Sequence, residues 1–321
     1  MLSEFELIRR YFTHPAPRTR LGVGDDAALV RVASGRELVV AADLLIAGRH
    51  FFTDADPRTV GHKALAVNLS DMAAMGATPR WATLALALPR AEPAWLKAFA
   101  AGFMALARRH AVALIGGDTT RGPLAICVQI LGEVPAGRAL LRSGARRGDD
   151  VWVSGTIGDA ALAVAARKGG VELTPRDRAT LEARLDRPMP RLALGKALLG
   201  IANSAIDISD GLCADLGHIC ERSGLSATIE FERLPVSAIV RKRLDLRRVQ
   251  TAVVAGGDDY ELCFTAPRAR RTAVLAAARR AGVRVTPIGS MAPVTRRPGV
   301  AVLGPDRKPL SLARSGYDHF R

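Results

Sequence analysis

The 321 residues include 49% hydrophobic but only 5% aromatic side chains, enough for two domains, each closing its own core of Ala, Leu and Val. No run approaches the roughly 20 apolar residues of a membrane helix, and the acidic start Met1-Leu2-Ser3-Glu4-Phe5-Glu6 has no apolar signal core, so the expectation is a cytoplasmic chain with no membrane partner. The net charge of +15 admits a polyanion partner, but the basic residues are scattered singly and in pairs, as at Arg108-Arg109 and Arg146-Arg147, without the aromatic-interleaved stripe of a nucleic-acid binder.

In chain order, hydrophobic spacing predicts a short helix over 3–12, a strand over 37–42 ending at Asp43, and a helix over 60–75. A strand over 83–88 is stopped by Pro89. A strong amphipathic helix over 93–110 follows, with Trp95, Phe99, Phe103 and Leu106 on one face. A strand over 112–115 runs into the turn-like Gly116-Gly117-Asp118, and another covers 124–131. The polar, glycine-rich stretch 132–150 reads as a domain boundary, giving domains 1–135 and 148–321. Beyond it come a strand over 151–153, a helix over 158–168, a break at Pro188-Met189-Pro190, a helix over 191–202 and a strand over 204–208. A helix over 211–222 is expected to be capped by Asp210. A strand over 227–231, helices near 237–244 and 249–255, a Gly256-Gly257 turn and a strand over 261–265 come next. The chain finishes with a helix over 268–281, strands over 283–288 and 300–303, and the tail Gly316-Tyr317-Asp318-His319-Phe320. Each half mixes strands with helices, an α/β (α+β) pattern.

Aspartates recur at the ends of apolar segments: Asp25-Asp26 after Gly22-Val23-Gly24, then Asp43, Asp71, Asp118, Asp207, Asp210 and Asp258-Asp259. Carboxylates crowded together repel unless a cation sits among them. Hard divalent ions, magnesium above all, are their natural partners. Simpler readings stand beside this one. Asp71, in Val67-Asn68-Leu69-Ser70-Asp71, could be a buried carboxylate satisfied locally. Asp210 could serve only as a helix cap, though that leaves Asp207 without a role. Gly116-Gly117-Asp118 could be a plain turn. His50 could be a base or structural, and Arg142 a phosphate ligand or a surface residue.

Several motifs are set aside. Gly22-x-Gly24-x-x-Ala27 matches a dinucleotide fingerprint, but Asp25 and Asp26 would place like charge where the pyrophosphate belongs, and no convincing strand precedes the turn. There is no GxxxxGK[ST] and no protein-kinase motif set. Cys213, His218 and Cys220 have poor spacing for zinc.

Together, Gly22 to Asp26, Lys63 to Gly76, LIGGDTTRG from Leu114, Arg138 to Ala145, NSAIDISDGLCADLG from Asn203, Ala255 to Phe264 and Gly316 to Phe320 resemble the thiamine-monophosphate kinase family, in order along almost the whole chain. The wider group, similar to aminoimidazole ribonucleotide synthetase, implies a two-domain fold, each half a mixed sheet packed by helices, and a homodimer. The resemblance implies transfer of the γ-phosphoryl of ATP to thiamine phosphate. It implies several magnesium ions on Asp26, Asp43, Asp71, Asp118, Asp207 and Asp210, with Asp25 alongside. It also implies ATP contacts from Gly117, Asp118, Arg142 and Ser209, substrate contacts from His50, Asp258 and Tyr317, and Asp118 and Asp210 as the catalytic carboxylates. Two departures stand out: Ala41-Ala42 replace the family's usual hydroxyl residues before Asp43, and Asp258 stands where many members carry Glu. A sister ATP enzyme of the same group and a basic nucleic-acid-binding protein are the alternatives. Selenophosphate synthetase fits poorly, because the first cysteine is Cys127.

Overall fold

The computed structural model describes residues 4–23, 26–294, 296–310 and 316–317, so Asp25 lies outside the described residues. Two compact units form, one from residues 1–72 and 77–137, the other from 73–76 and 138–321.

The first unit opens with helix α1 (Glu4–Leu7), which loosens into a π turn, Ile8–Phe12. Strands β1 (Thr19–Leu21) and β2 (Leu29–Val30) pair as a small antiparallel ribbon. Strand β3 (Arg36–Ile46) leads to helix α2 (Pro57–Ala74), then β4 (Thr78–Leu88), helix α3 (Pro93–Arg109), β5 (Ala113–Arg121) and β6 (Ala125–Pro135). The sheet order is β3-β6-β4-β5. Helix α2 is buried nearly all round: Ala64, Leu65, Ala66, Val67, Leu69 and Met72 are buried, and so are the polar Lys63, Asn68 and Ser70. Helix α3 buries Leu96, Phe99, Phe103 and Leu106. The two helices approach backbone to backbone: a Cβ at Gly61 would strike the carbonyl of Phe99, and one at Gly102 the carbonyl of Arg58.

The second unit holds β7 (Asp150–Ser154), α4 (Asp159–Arg167), α5 (Pro175–Asp186), α6 (Leu192–Ala197), β8 (Ser204–Asp207), α7 (Leu212–Ser223), β9 (Ser226–Glu230), α8 (Ala238–Arg241), α9 (Arg247–Ala255), β10 (Leu262–Ala266), α10 (Arg271–Arg280), β11 (Val285–Ala292) and β12 (Val300–Leu303). Its six strands run β12-β9-β11-β7-β10-β8, antiparallel except for β12 on β9. All of β7 and β10 is buried, so the core centres there.

Several expectations need correcting. Asp43 does not end its strand: β3 runs three residues further, to Ile46. Gly116-Gly117-Asp118 is not a turn but the middle of β5, paired with Thr83, Leu84 and Ala85 of β4. A Cβ at Gly117, where φ is 149°, would meet the carbonyl of Leu84, so glycine is what lets the strands close there. A short strand does precede Gly22, but the chain then enters β2 of the same ribbon, not a helix.

Candidate active site

In the second unit the site grows from one backbone ladder. Strand β8 pairs with β10 as far as Asp207 opposite Leu262. The pairing continues past both strand ends. Ile208 N–H donates to the Glu261 carbonyl (2.8 Å), Tyr260 N–H to the Ile208 carbonyl (2.8 Å), and Asp258 N–H to the Ser209 carbonyl (2.9 Å). From the tail, Tyr317 N–H donates to the Asp210 carbonyl at 2.9 Å. Asp207, Ser209, Asp210, Asp258 and Tyr317, distant in sequence, are thus brought onto adjoining backbone. Glycines make this closeness possible. A Cβ at Gly257 would strike the Ser209 carbonyl, and one at Gly211, where φ is 121°, would come within 2.7 Å of Ala255 C.

Asp210 does not cap α7. The N-cap is Gly211, without a side-chain cap bond. Asp215, which sequence reasoning missed, instead holds the turn that precedes the helix. Its Oδ2 accepts from the N–H groups of Ser209 (3.0 Å), Asp210 (3.1 Å) and Gly211 (3.0 Å), fixing the turn from inside. Burial, then the charges of Asp207 and Asp210, push the Asp215 carboxyl well above the usual carboxylate range against those hydrogen bonds. Asp207 itself is only 5% exposed. Arg142 lies in the short 3-10 turn Arg142–Gly144 and is exposed, with its carbonyl taking the Ser223 hydroxyl at 2.9 Å.

In the first unit, Asp26 is exposed on a bend, and Asp71 is partly buried on α2. Asn68, 0% exposed and one turn before Asp71, donates Nδ2 to the Ala64 carbonyl (3.1 Å), while its Oδ1 is buried without a hydrogen-bond partner. Asp43 sits on β3 opposite Val128, and exposed Asp118 on β5 opposite Ala85. Strands β3 and β5 are the two edges of this sheet, three strand spacings or about 14 Å apart. The unit does not by itself bring these two carboxylates together. His50 Nδ1 accepts from Ile46 N–H at 2.9 Å, so a neutral ring carries its proton on Nε2. Cys213 and Cys220 are buried, whereas His218 is half exposed and lies 3.5 Å from Glu221. Burial lifts the Cys213 thiol to about 12, and burial followed by Glu221 lifts Cys220 to about 11.

Among the described residues no three carboxylate, imidazole or thiol groups already converge as a metal cage. The donor chemistry nevertheless fits magnesium. Asp207 and Asp210 are oxygen donors close enough to Asp215 to raise it by repulsion, a strain that a hard cation relieves. The orphaned Oδ1 of Asn68 beside Asp71 is a further oxygen without a proton to satisfy it.

Known proteins share the sequence and the fold of this chain. Residues 24–134 match the AIR synthase related protein N-terminal domain, and 146–298 the corresponding C-terminal domain. The chain is 44% identical to thiamine-monophosphate kinase of Escherichia coli K12, over 99% of this chain and 98% of the other. Against the Bacillus subtilis enzyme it is 32% identical over the full length of both. The crystal structure of thiamine-monophosphate kinase from Stenotrophomonas maltophilia matches with a TM-score of 0.84 at 46% identity, covering 92% of this chain and 93% of that one. AaThiL complexed with AMPPCP and TMP matches with a TM-score of 0.78 at 31% identity, covering 90% and 89%. With both family domains in place and such relatives spanning its whole length, the chain belongs to the thiamine-monophosphate kinase family.

Proposed function

We propose that the ladder joining the 207–210 segment to the 258–261 loop is where this chain lines up ATP with thiamine phosphate. The activity is ATP-dependent phosphorylation of thiamine phosphate to thiamine diphosphate, a step of thiamine biosynthesis. The observation that carries the proposed site is the hydrogen bonding of Asp258 to Ser209 and of Tyr317 to Asp210. It sets residues read as touching the thiamine moiety directly beside Ser209, read as touching the nucleotide, and Asp210, read as holding metal.

The acceptor is itself a phosphate with a second pKa of about 6, so near neutral pH it is already a nucleophile and needs no base. The protein's work is then alignment and charge neutralisation. Magnesium ions, when bound, supply the positive charge that lets two polyanions meet. Asp26, Asp43, Asp71, Asp118, Asp207 and Asp210 would hold them, with Asp25 alongside. Ser209, Arg142, Gly117 and Asp118 would orient ATP. Asp258, Tyr317 and His50 would hold the thiamine moiety. Asp215 keeps the Ser209–Gly211 turn in shape throughout.

The chain acts as a homodimer in this reading. Leu38, Val40, Leu44 and Ile46 of β3 are 42%, 51%, 53% and 40% exposed, and alternate along one face of the first unit's sheet. So much apolar surface on one strand face marks an association surface, and a self-complementary pairing of two copies is the commonest way to cover it. A second copy would also supply the carboxylates of its own sheet edges, which answers the separation of Asp43 from Asp118. Among the described residues no helix is long and apolar enough to cross a membrane.

The test is product analysis with ATP, magnesium and each acceptor in turn. Thiamine phosphate should yield thiamine diphosphate and ADP one for one. Thiamine, whose alcohol needs a base and offers no anion for the metal, should give almost none. Comparable turnover of thiamine would sink the metal-held acceptor.

A further inference from the structure

Asp258 and Tyr260 both carry left-handed backbone angles, φ 70° and 49°. Such angles are disfavoured for residues with a Cβ and persist where the surroundings impose them. The alternate residues, Asp259 and Glu261, are anchored in the interior of the second unit. Both oxygens of Asp259 accept from Gly158 N–H, at 3.0 and 2.9 Å, at the head of α4. Glu261 is 1% exposed and is held from three sides. Arg191 grips it with Nε at 2.6 Å and also with Nη2. Arg184 Nη2 donates at 3.0 Å and Ser154 Oγ at 2.6 Å. Ser154 Oγ in turn accepts Leu262 N–H at 2.8 Å, tying the grip to the start of β10. Tyr260 Oη reaches back to Asp258 Oδ1 at 3.3 Å.

A buried carboxylate between two arginines is a poor way to gain stability alone, because desolvation offsets most of the attraction and apolar residues would fill the space as well. What it does supply is a fixed direction. Burial works against the Arg191 charge, yet the hydrogen bond and charge of Glu261 raise its pKa above the ordinary arginine value.

We infer that Arg191 and Arg184, closing on Glu261, together with Asp259 on Gly158, are positioning residues that hold the 256–261 loop in its left-handed form and so set where Asp258 meets thiamine phosphate. The inference rests on the reading of Asp258 as a substrate contact. Arg191→Ala, Arg191→Lys, Arg184→Ala and Asp258→Ala, each as the full chain with ATP and magnesium, test it by hydrogen exchange of the 256–262 amides and by KM for each substrate. Arg191→Ala should exchange there about tenfold faster, and KM for thiamine phosphate should rise about tenfold while KM for ATP stays within about twofold. Arg191→Lys should recover part of both. If Arg191→Ala does not fold, Arg184→Ala, with a side chain 33% exposed, carries the same test with smaller shifts. Unchanged exchange, or equal rises in both KM values, would overturn the clamp as a positioning device. A loosened loop with an unmoved KM for thiamine phosphate would overturn it too. If Asp258→Ala leaves that KM alone while Arg191→Ala raises it, the clamp stands and the role given to Asp258 fails.

Discussion

The N–H of Asp258 and the carbonyl of Ser209 share a hydrogen bond of 2.9 Å, so the proposed substrate and nucleotide contacts sit on one peptide-to-peptide link. Between them Gly257 faces the Ser209 carbonyl so closely that a Cβ cannot fit without backbone movement. Gly257→Ala should therefore raise KM for both ATP and thiamine phosphate, unlike the clamp variants. Steady-state kinetics should show at least a tenfold loss in kcat/KM, about 1.4 kcal/mol.

Asp71→Asn and Asp210→Asn should each fold and lose most phosphoryl transfer, on the order of a hundredfold at saturating magnesium. The amide keeps the volume but removes the charge that a metal needs. Denaturant unfolding without metal should show little change, or slight stabilisation at Asp210, because Asp207, Asp210 and Asp215 repel one another there. Near wild-type turnover in either variant would remove that residue from the ligand set.

Glu133 gives a pH-dependent prediction in the first unit. Its oxygens accept Ala33 N–H at 3.0 Å and Arg80 Nε at 3.0 Å. Burial pulls its pKa up, but these bonds and the charge of Arg80 carry it below the ordinary 4.5. A lowered carboxylate pKa contributes stability above the unfolded value and loses it as pH falls through the folded value. The stability gap between wild type and Glu133→Gln, read from urea melts, should be full above about pH 5.5 and shrink below 4.5.

Cys127 reports on the proposed dimer. It is partly exposed, paired with Leu44 and Ala85 on the apolar sheet face, while Cys213, Cys220 and Cys263 are buried. A thiol reagent should modify Cys127 first, and at least about tenfold more slowly at concentrations where sedimentation shows a dimer. Equal rates across that range would place the dimer contact elsewhere.

The strong periodic signals were readable from residues alone. Helix α3 lies where spacing put it and buries Phe99, Phe103 and Leu106, with Leu96 buried beside a half-buried Trp95. The misreadings share a cause: packing overrides local preference. Asp43 looked like a strand end because aspartate disfavours strands, yet pairing with β6 carries β3 on to Ile46. Gly116-Gly117 looked like a turn, but the glycines serve close strand contact. Helix α5 was missed because only Leu181 and Leu185 are buried, although Thr174 accepting Asp177 N–H and Pro175 at the first turn gave a start signal. Asp215 resembled any acid in a helix's first turn, where the dipole favours it, and nothing in spacing distinguishes that from a residue folding back on three amides.

Ala73 and Ala74, the last residues of α2, and Met75 and Gly76 just after it belong to the second unit although the rest of that helix belongs to the first. They fit there through small residues: a Cβ at Gly195 would strike the Ala73 carbonyl, and one at Gly76, where φ is 68°, would come within 2.5 Å of Leu199 Cδ2. The two units are consequently not interchangeable modules. A chimera joined to a relative at residue 137 would carry Ala73–Gly76 from one parent and the α6 region from the other. Whether such hybrids express would turn on matching Gly76 and Gly195 across parents, more than on the junction itself.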